Sequence, residues 1–119
     1  MITKEQMKEE IIKQLEDFVI VSLMFNNDFD SKKIKFDFYS YIQIIPVSIN
    51  CFNLIISSDS DFGSINLLKK YNFVEKTIDK KEMIKLINNY DFNFVQFEYS
   101  EDLYYQFYLK DDYFIEMTN

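Results

Sequence analysis

Apolar residues recur at helical spacing from the start of the chain, where Met7, Ile11, Leu15 and Phe18 fall on one face. Lys4, Glu5, Lys8, Glu9, Lys13 and Glu16 occupy the other positions, and Thr3 with Gln6 forms a capping-box pattern in front of them. The spacing predicts a helix from Thr3, carried to about Met24 because no breaker precedes Asn26-Asn27-Asp28. Val19, Ile20 and Val21 are β-branched, which leaves a switch to a strand open.

The period then changes from helical to twofold. Between Lys33 and Ile45, Ile34, Phe36, Phe38, Ile42 and Ile44 share one face of a strand, and Lys35, Asp37, Tyr39, Tyr41 and Gln43 share the other. Pro46 cannot donate to a ladder and marks a bulge, a turn or an edge, after which Val47–Ser57 forms a second extended run paired with the first. Ser57 to Ser64 reads as a loop, with Ser64 capping a short helix over Ile65–Tyr71, and Phe73-Val74 as a brief connector. Asp79 with Glu82 opens a further helix, whose stripe is Met83, Ile84, Leu86, Ile87 and Tyr90.

Three alternating runs close the chain: Phe92–Tyr99, Leu103–Leu109 and Tyr113–Met117, separated by Ser100-Glu101-Asp102 and Lys110-Asp111-Asp112. In the middle run, Leu103, Tyr105, Phe107 and Leu109 are expected to face the core, and Tyr104, Gln106 and Tyr108 the other side. The pattern thus predicts one α+β domain spanning residues 1–119. Its parts are an N-terminal helix and an antiparallel sheet of about five strands, a hairpin followed by a C-terminal three-stranded meander, with one or two helices between them.

Composition narrows the chemistry. The 119 residues include no Arg, His, Ala or Trp, while Ile, Lys, Phe, Asn and Tyr, all with AT-rich codons, supply 61 of them, so aromatic abundance alone carries little weight. Without histidine there is no Ser-His-Asp or Cys-His nucleophile system and no imidazole ligand. A single cysteine, Cys51, leaves no internal disulfide, and its apolar neighbours predict a buried, inert thiol. The most apolar run, Phe18 to Phe25, is too short to span a bilayer, and no signal peptide opens the chain, which predicts a cytoplasmic protein without a membrane partner.

Charge is distributed unevenly. The stretch Tyr90–Asn119 holds seven acids against Lys110 alone, so six units of the net charge of −7 lie there, with eleven of the 22 aromatic residues. A negative chain with no basic cluster longer than a lysine pair is a poor direct ligand for nucleic acid.

Two short motifs suggest other chemistry. Asp59-Ser60-Asp61 beside Gly63 is a weak candidate for Mg²⁺ or Ca²⁺, and it carries the alternative of a small metal-dependent enzyme. Leu67 to Glu75 resembles the segment of GNAT acetyltransferases in which a helix runs into a strand. The resemblance covers nine residues, and the glycine-rich pyrophosphate loop such enzymes need is absent, so no cofactor is expected.

The tail is the stronger candidate. Tyr104 and Tyr108 as anchors, joined by Glu98 and Glu116 and framed by the turn acids Glu101, Asp102, Asp111 and Asp112, suit the positive surface of another protein. Tyrosine brings large contact area with little rotamer entropy to lose, and uncompensated carboxylates steer a basic partner. Nucleic-acid enzymes have such surfaces. The reading is therefore a non-enzymatic inhibitor, of immunity-protein or phage anti-defence type, whose partner is a nuclease toxin or a defence nuclease. A monomer or weak homodimer is expected, and a self-associating structural subunit is the further alternative.

Overall fold

A computed structural model of the chain describes residues 1–25, 41–57 and 73–117. Among these residues the architecture is mostly sheet. Eight strands, β1 (Ile2–Thr3), β2 (Ile20–Phe25), β3 (Tyr41–Ser48), β4 (Cys51–Ser57), β5 (Phe73–Ile78), β6 (Phe92–Ser100), β7 (Leu103–Lys110) and β8 (Tyr113–Glu116), join two helices, α1 (Lys4–Glu16) and α2 (Lys80–Asn89). All eight strands lie in one sheet, in the order β1-β8-β7-β6-β2-β3-β4-β5, and every adjacent pair is antiparallel. The expected sheet of about five strands behind a long N-terminal helix is overturned.

The first cause is the end of α1. Its start is as the sequence predicts, with the Thr3 hydroxyl accepting from the Gln6 N–H and the Gln6 side chain accepting from the Thr3 N–H. It stops eight residues before Met24, at Glu16, in a left-handed cap. The Phe18 N–H donates to Leu15 O at 3.1 Å, the Val19 N–H donates to Gln14 O at 2.9 Å, and Phe18 takes φ 64°. The β-branched run that follows is β2, because a pleated surface suits those side chains better than a helical turn.

β2 then becomes the centre of the sheet. Val21 is paired with Ile44 and Phe97, and Leu23 with Ile42 and Val95, so one row of apolar side chains crosses three strands beneath the helices. Met7, Ile11 and Leu15 of α1 and Met83 and Ile87 of α2 bury against this row and its continuation through Phe52, Leu54, Ile56 and Phe114. Both helices therefore cover one face. They lie antiparallel, since Lys8 Nζ donates to Asn88 O at 3.4 Å and Lys80 Nζ pairs with Glu16 at 3.4 Å.

Two further differences follow from context that periodicity does not carry. Phe73-Val74 belongs to edge strand β5, which pairs along β4 from Ser57↔Phe73 to Phe52↔Ile78. β1 is only two residues long and adds beside β8, through Ile2↔Phe114 and Thr3↔Tyr113. The expected β3–β4 hairpin and the β6–β7–β8 meander are present, with a register shift between Pro46 and Ser48. Cys51 is half-buried at the start of β4. Residues 33–40 of the predicted first strand, the loop from Ser58 and the predicted helix Ile65–Tyr71 lie outside the described residues.

The Cα radius of gyration is 13.5 Å, that of a compact chain of this length. No helix among the described residues is long and apolar enough to cross a membrane.

Candidate functional site

The candidate site is built on β7. Alternation turns Tyr104, Gln106 and Tyr108 away from the helices, as expected, and Phe107 and Leu109 toward them, packed against the core. Leu103 and Tyr105 share that inward parity but remain 49% and 44% exposed: Leu103 is the first residue of the strand, and Tyr105, opposite the buried Phe97, lines an open groove beside α1. Tyr104 and Tyr108 are 45% and 38% exposed on the opposite face. The first half of β7 thus presents large side chains on both faces.

Cross-strand register assigns the surrounding groups. Glu98 lies opposite Tyr104 and shares its face. Glu116 lies opposite Phe107, so it belongs to the helix-side face and does not join the two tyrosines. Gln106 donates its side-chain amide to Gln96 Oε1 at 2.8 Å, which makes a polar step between Tyr104 and Tyr108. Tyr41 shares this outer face two strands beyond β6 but is buried over Ser22, while Tyr39 lies outside the described residues.

The turn acids divide into two groups. Glu101 and Asp102 occupy the β6–β7 turn, and Asp111 and Asp112 the β7–β8 turn. Eight residues of strand separate these turns, roughly 25 Å at the usual rise, so they flank the tyrosines at opposite ends instead of closing a ring. Asp111 has φ 57°, a left-handed turn position that aspartate tolerates better than most residues. Among the described residues the ion pairs are Lys8–Glu5 and Lys80–Glu16, and neither involves a carboxylate of the meander.

A groove of about 630 Å³ runs along the inner side of the same strands, between α1 and β6–β7. Phe97 and Phe107 meet edge to face at 5.9 Å, Tyr99 and Tyr105 at 5.6 Å, and Gln6, Glu9, Glu10 and Lys13 line the helical wall. The Tyr99 hydroxyl donates to Gln14 Oε1 at 3.0 Å. Its pKa is raised by partial burial and then by the charge of Glu10, the neighbouring Tyr105 and Asp17. Sequence periodicity missed this groove because it depends on where α1 crosses the sheet, a tertiary fact.

No group of three or more His, Cys, Asp or Glu side chains positioned to hold a metal occurs among the described residues. Asp59 and Asp61, the weak cation candidates, lie outside those residues. The arrangement on β7 offers contact area and charge, with no nucleophile and base brought together. Comparison with family models, with curated proteins and with solved structures gives no match.

Proposed function

We propose that this chain is a small acidic inhibitor that binds another protein through β7 and its flanking turns, occupying the positive surface of a nucleic-acid-acting partner. The observation that carries the reading is the concentration of exposed apolar side chains. Of eleven large hydrophobic residues exposed among the described residues, seven fall between Tyr99 and Met117: Tyr99, Leu103, Tyr104, Tyr105, Tyr108, Tyr113 and Met117. Five are tyrosines, the residue type that anchors interfaces most often beside Trp and Arg. The unpaired acids at both ends of the strip favour a basic partner and a fast, salt-sensitive association. Immunity to a toxin and phage anti-defence are the two settings this chemistry suits.

The test is a reversal of charge. A variant carrying Glu101→Lys, Asp102→Lys, Asp111→Lys and Asp112→Lys should fold cooperatively, since all four side chains are exposed at turns. Wild-type protein is expected to capture a basic nucleic-acid-cleaving protein from host lysate and to block its cleavage, with affinity at least a hundredfold above that of the variant. Equal affinity of the two forms, or an acidic captured partner, overturns the proposal.

A further inference from the structure

Among the described residues, four exposed apolar residues lie outside the meander's share: Met1, Phe18, Val47 and Ile49. Three of them meet the meander at one end of the sheet. Phe18 sits in the α1–β2 junction, Val47 and Ile49 at the β3–β4 hairpin, and Leu103 and Tyr104 at the start of β7. Strand order brings these elements side by side, as β7, β6, β2, β3 and β4 are consecutive neighbours and the Ile20↔Glu98↔Tyr104 register aligns their ends. Four strand spacings separate β7 from β4, about 19 Å, and Phe18 enters near the middle.

Phe18 is the residue that fold requirements explain least. It occupies the position after a helix cap where the backbone turns left-handed, φ 64°, which glycine takes freely and a bulky residue takes at a cost of about 1 to 2 kcal/mol. A strained position is tolerated when the side chain gains packing, yet this ring is 55% exposed. Val47 and Ile49, at the β3–β4 hairpin of the same sheet end, are 56% and 80% exposed.

The charge around these residues is one-sided. Glu16, Asp17, Asp79, Glu98, Glu101 and Asp102 lie at this end, against Lys13, Lys80 and Lys81; with the Lys80–Glu16 pair set aside, five acids stand against two lysines. A second copy of the chain would bring like charges together, whereas a basic surface with apolar side chains complements both properties.

We propose that this end of the sheet is the docking surface for the basic partner, with Phe18 as its central anchor, Val47, Ile49, Leu103 and Tyr104 around it, and the acids as its rim. The inference rests on the reading of the chain as a binder of a basic protein, but it assigns the contact to the strand ends and sets Asp111 and Asp112, at the far end of β7, outside it.

Phe18→Gly is the decisive variant, because glycine relieves the backbone and removes the ring. Its melting temperature should equal or exceed that of wild type, so a loss of binding cannot come from unfolding. The probe is a synthetic peptide alternating lysine with leucine, with oligolysine of equal charge as control, titrated into isotope-labelled protein and followed by backbone amide shifts. The shifts are expected at residues 17–19, 47–51 and 99–105, with affinity at least tenfold above oligolysine and at least tenfold reduced by Phe18→Gly.

Shifts confined to the Asp111–Asp112 turn or to the helices, or equal affinity of Phe18→Gly and wild type, overturn the docking surface. Should the fourfold acid reversal abolish binding while Phe18→Gly leaves it intact, the surface falls and the basic-partner reading stands. Binding of neither peptide overturns both. A concentration-dependent dimer in sedimentation that Phe18→Gly dissolves overturns the partner in favour of a second copy.

Discussion

Gln106 donates its side-chain amide to Gln96 Oε1 at 2.8 Å, directly across the β6–β7 ladder, and Gln96 is 9% exposed. The bond lies between two tyrosines of the proposed interface and holds the strand that carries them. Gln106→Leu should lower stability by about 1 to 2 kcal/mol, since Gln96 keeps its burial and loses its donor. Replacing both residues with leucine should recover most of that loss. A double-mutant cycle in urea checks this, and strictly additive losses would show that the two side chains do not support each other.

Tyr41 predicts an alkaline limit to stability. Its phenol is buried and donates to Ser22 Oγ at 3.3 Å. Burial pushes its pKa above the ordinary value of about 10, the bond with Ser22 opposes that shift, and the charge of Glu98 adds to it. The folded state therefore holds the proton more tightly than the unfolded chain does. Its contribution is fully present below pH about 10 and is lost as pH rises through the raised folded value. Tyr41→Phe should move the alkaline unfolding midpoint to higher pH and remove a late-titrating tyrosinate from the absorbance titration. A midpoint that stays in place or falls would assign alkaline unfolding to other groups.

Asp111 offers a separate check on the two ends of β7. With φ 57° it occupies glycine's preferred region, so Asp111→Gly should raise stability by about 0.5 to 1 kcal/mol in thermal denaturation. On the docking surface proposed above, the same change should leave partner affinity within twofold. A large loss of affinity would return the β7–β8 turn to the interface.

Local pattern decides single features of this fold and not its sheet. The Thr3–Gln6 cap, the Asp79 cap of α2, the Pro46 irregularity and the two faces of β7 are each decided by side chains within a few residues of one another, and each is legible without the structure. The rest is decided at a distance. The pattern predicts that the helix continues through Val19 to Val21 with a strand left open, and pairing with β3 and β6 decides for a strand from Ile20. Phe73-Val74 needed β4 beside it to become a strand.

The candidate site divides in the same way. Alternation predicts that Tyr104 and Tyr108 share a face, but the place of Glu116 depends on the β7–β8 register, which turns it to the helix side. Leu103 and Tyr105 have core parity and half-exposed side chains, because parity fixes direction while coverage depends on how far the helices reach. No local signal marks Phe18 as exposed, since its spacing continues the stripe of Met7, Ile11 and Leu15.

The position of β2 has a kinetic consequence. β2 to β5 and β6 to β8 are two runs of sequential antiparallel neighbours, and among the described residues the strand pairing that joins them into one sheet is β2–β6, from Ile20↔Glu98 to Phe25↔Phe92. Within each run the paired strands are closer in sequence, whereas this seam joins residues more than sixty positions apart and must overcome that closure entropy in one step. The seam is where the two halves commit to each other, so changes at Val21 or Leu23 should slow folding more than equally destabilising changes at the hairpin tips.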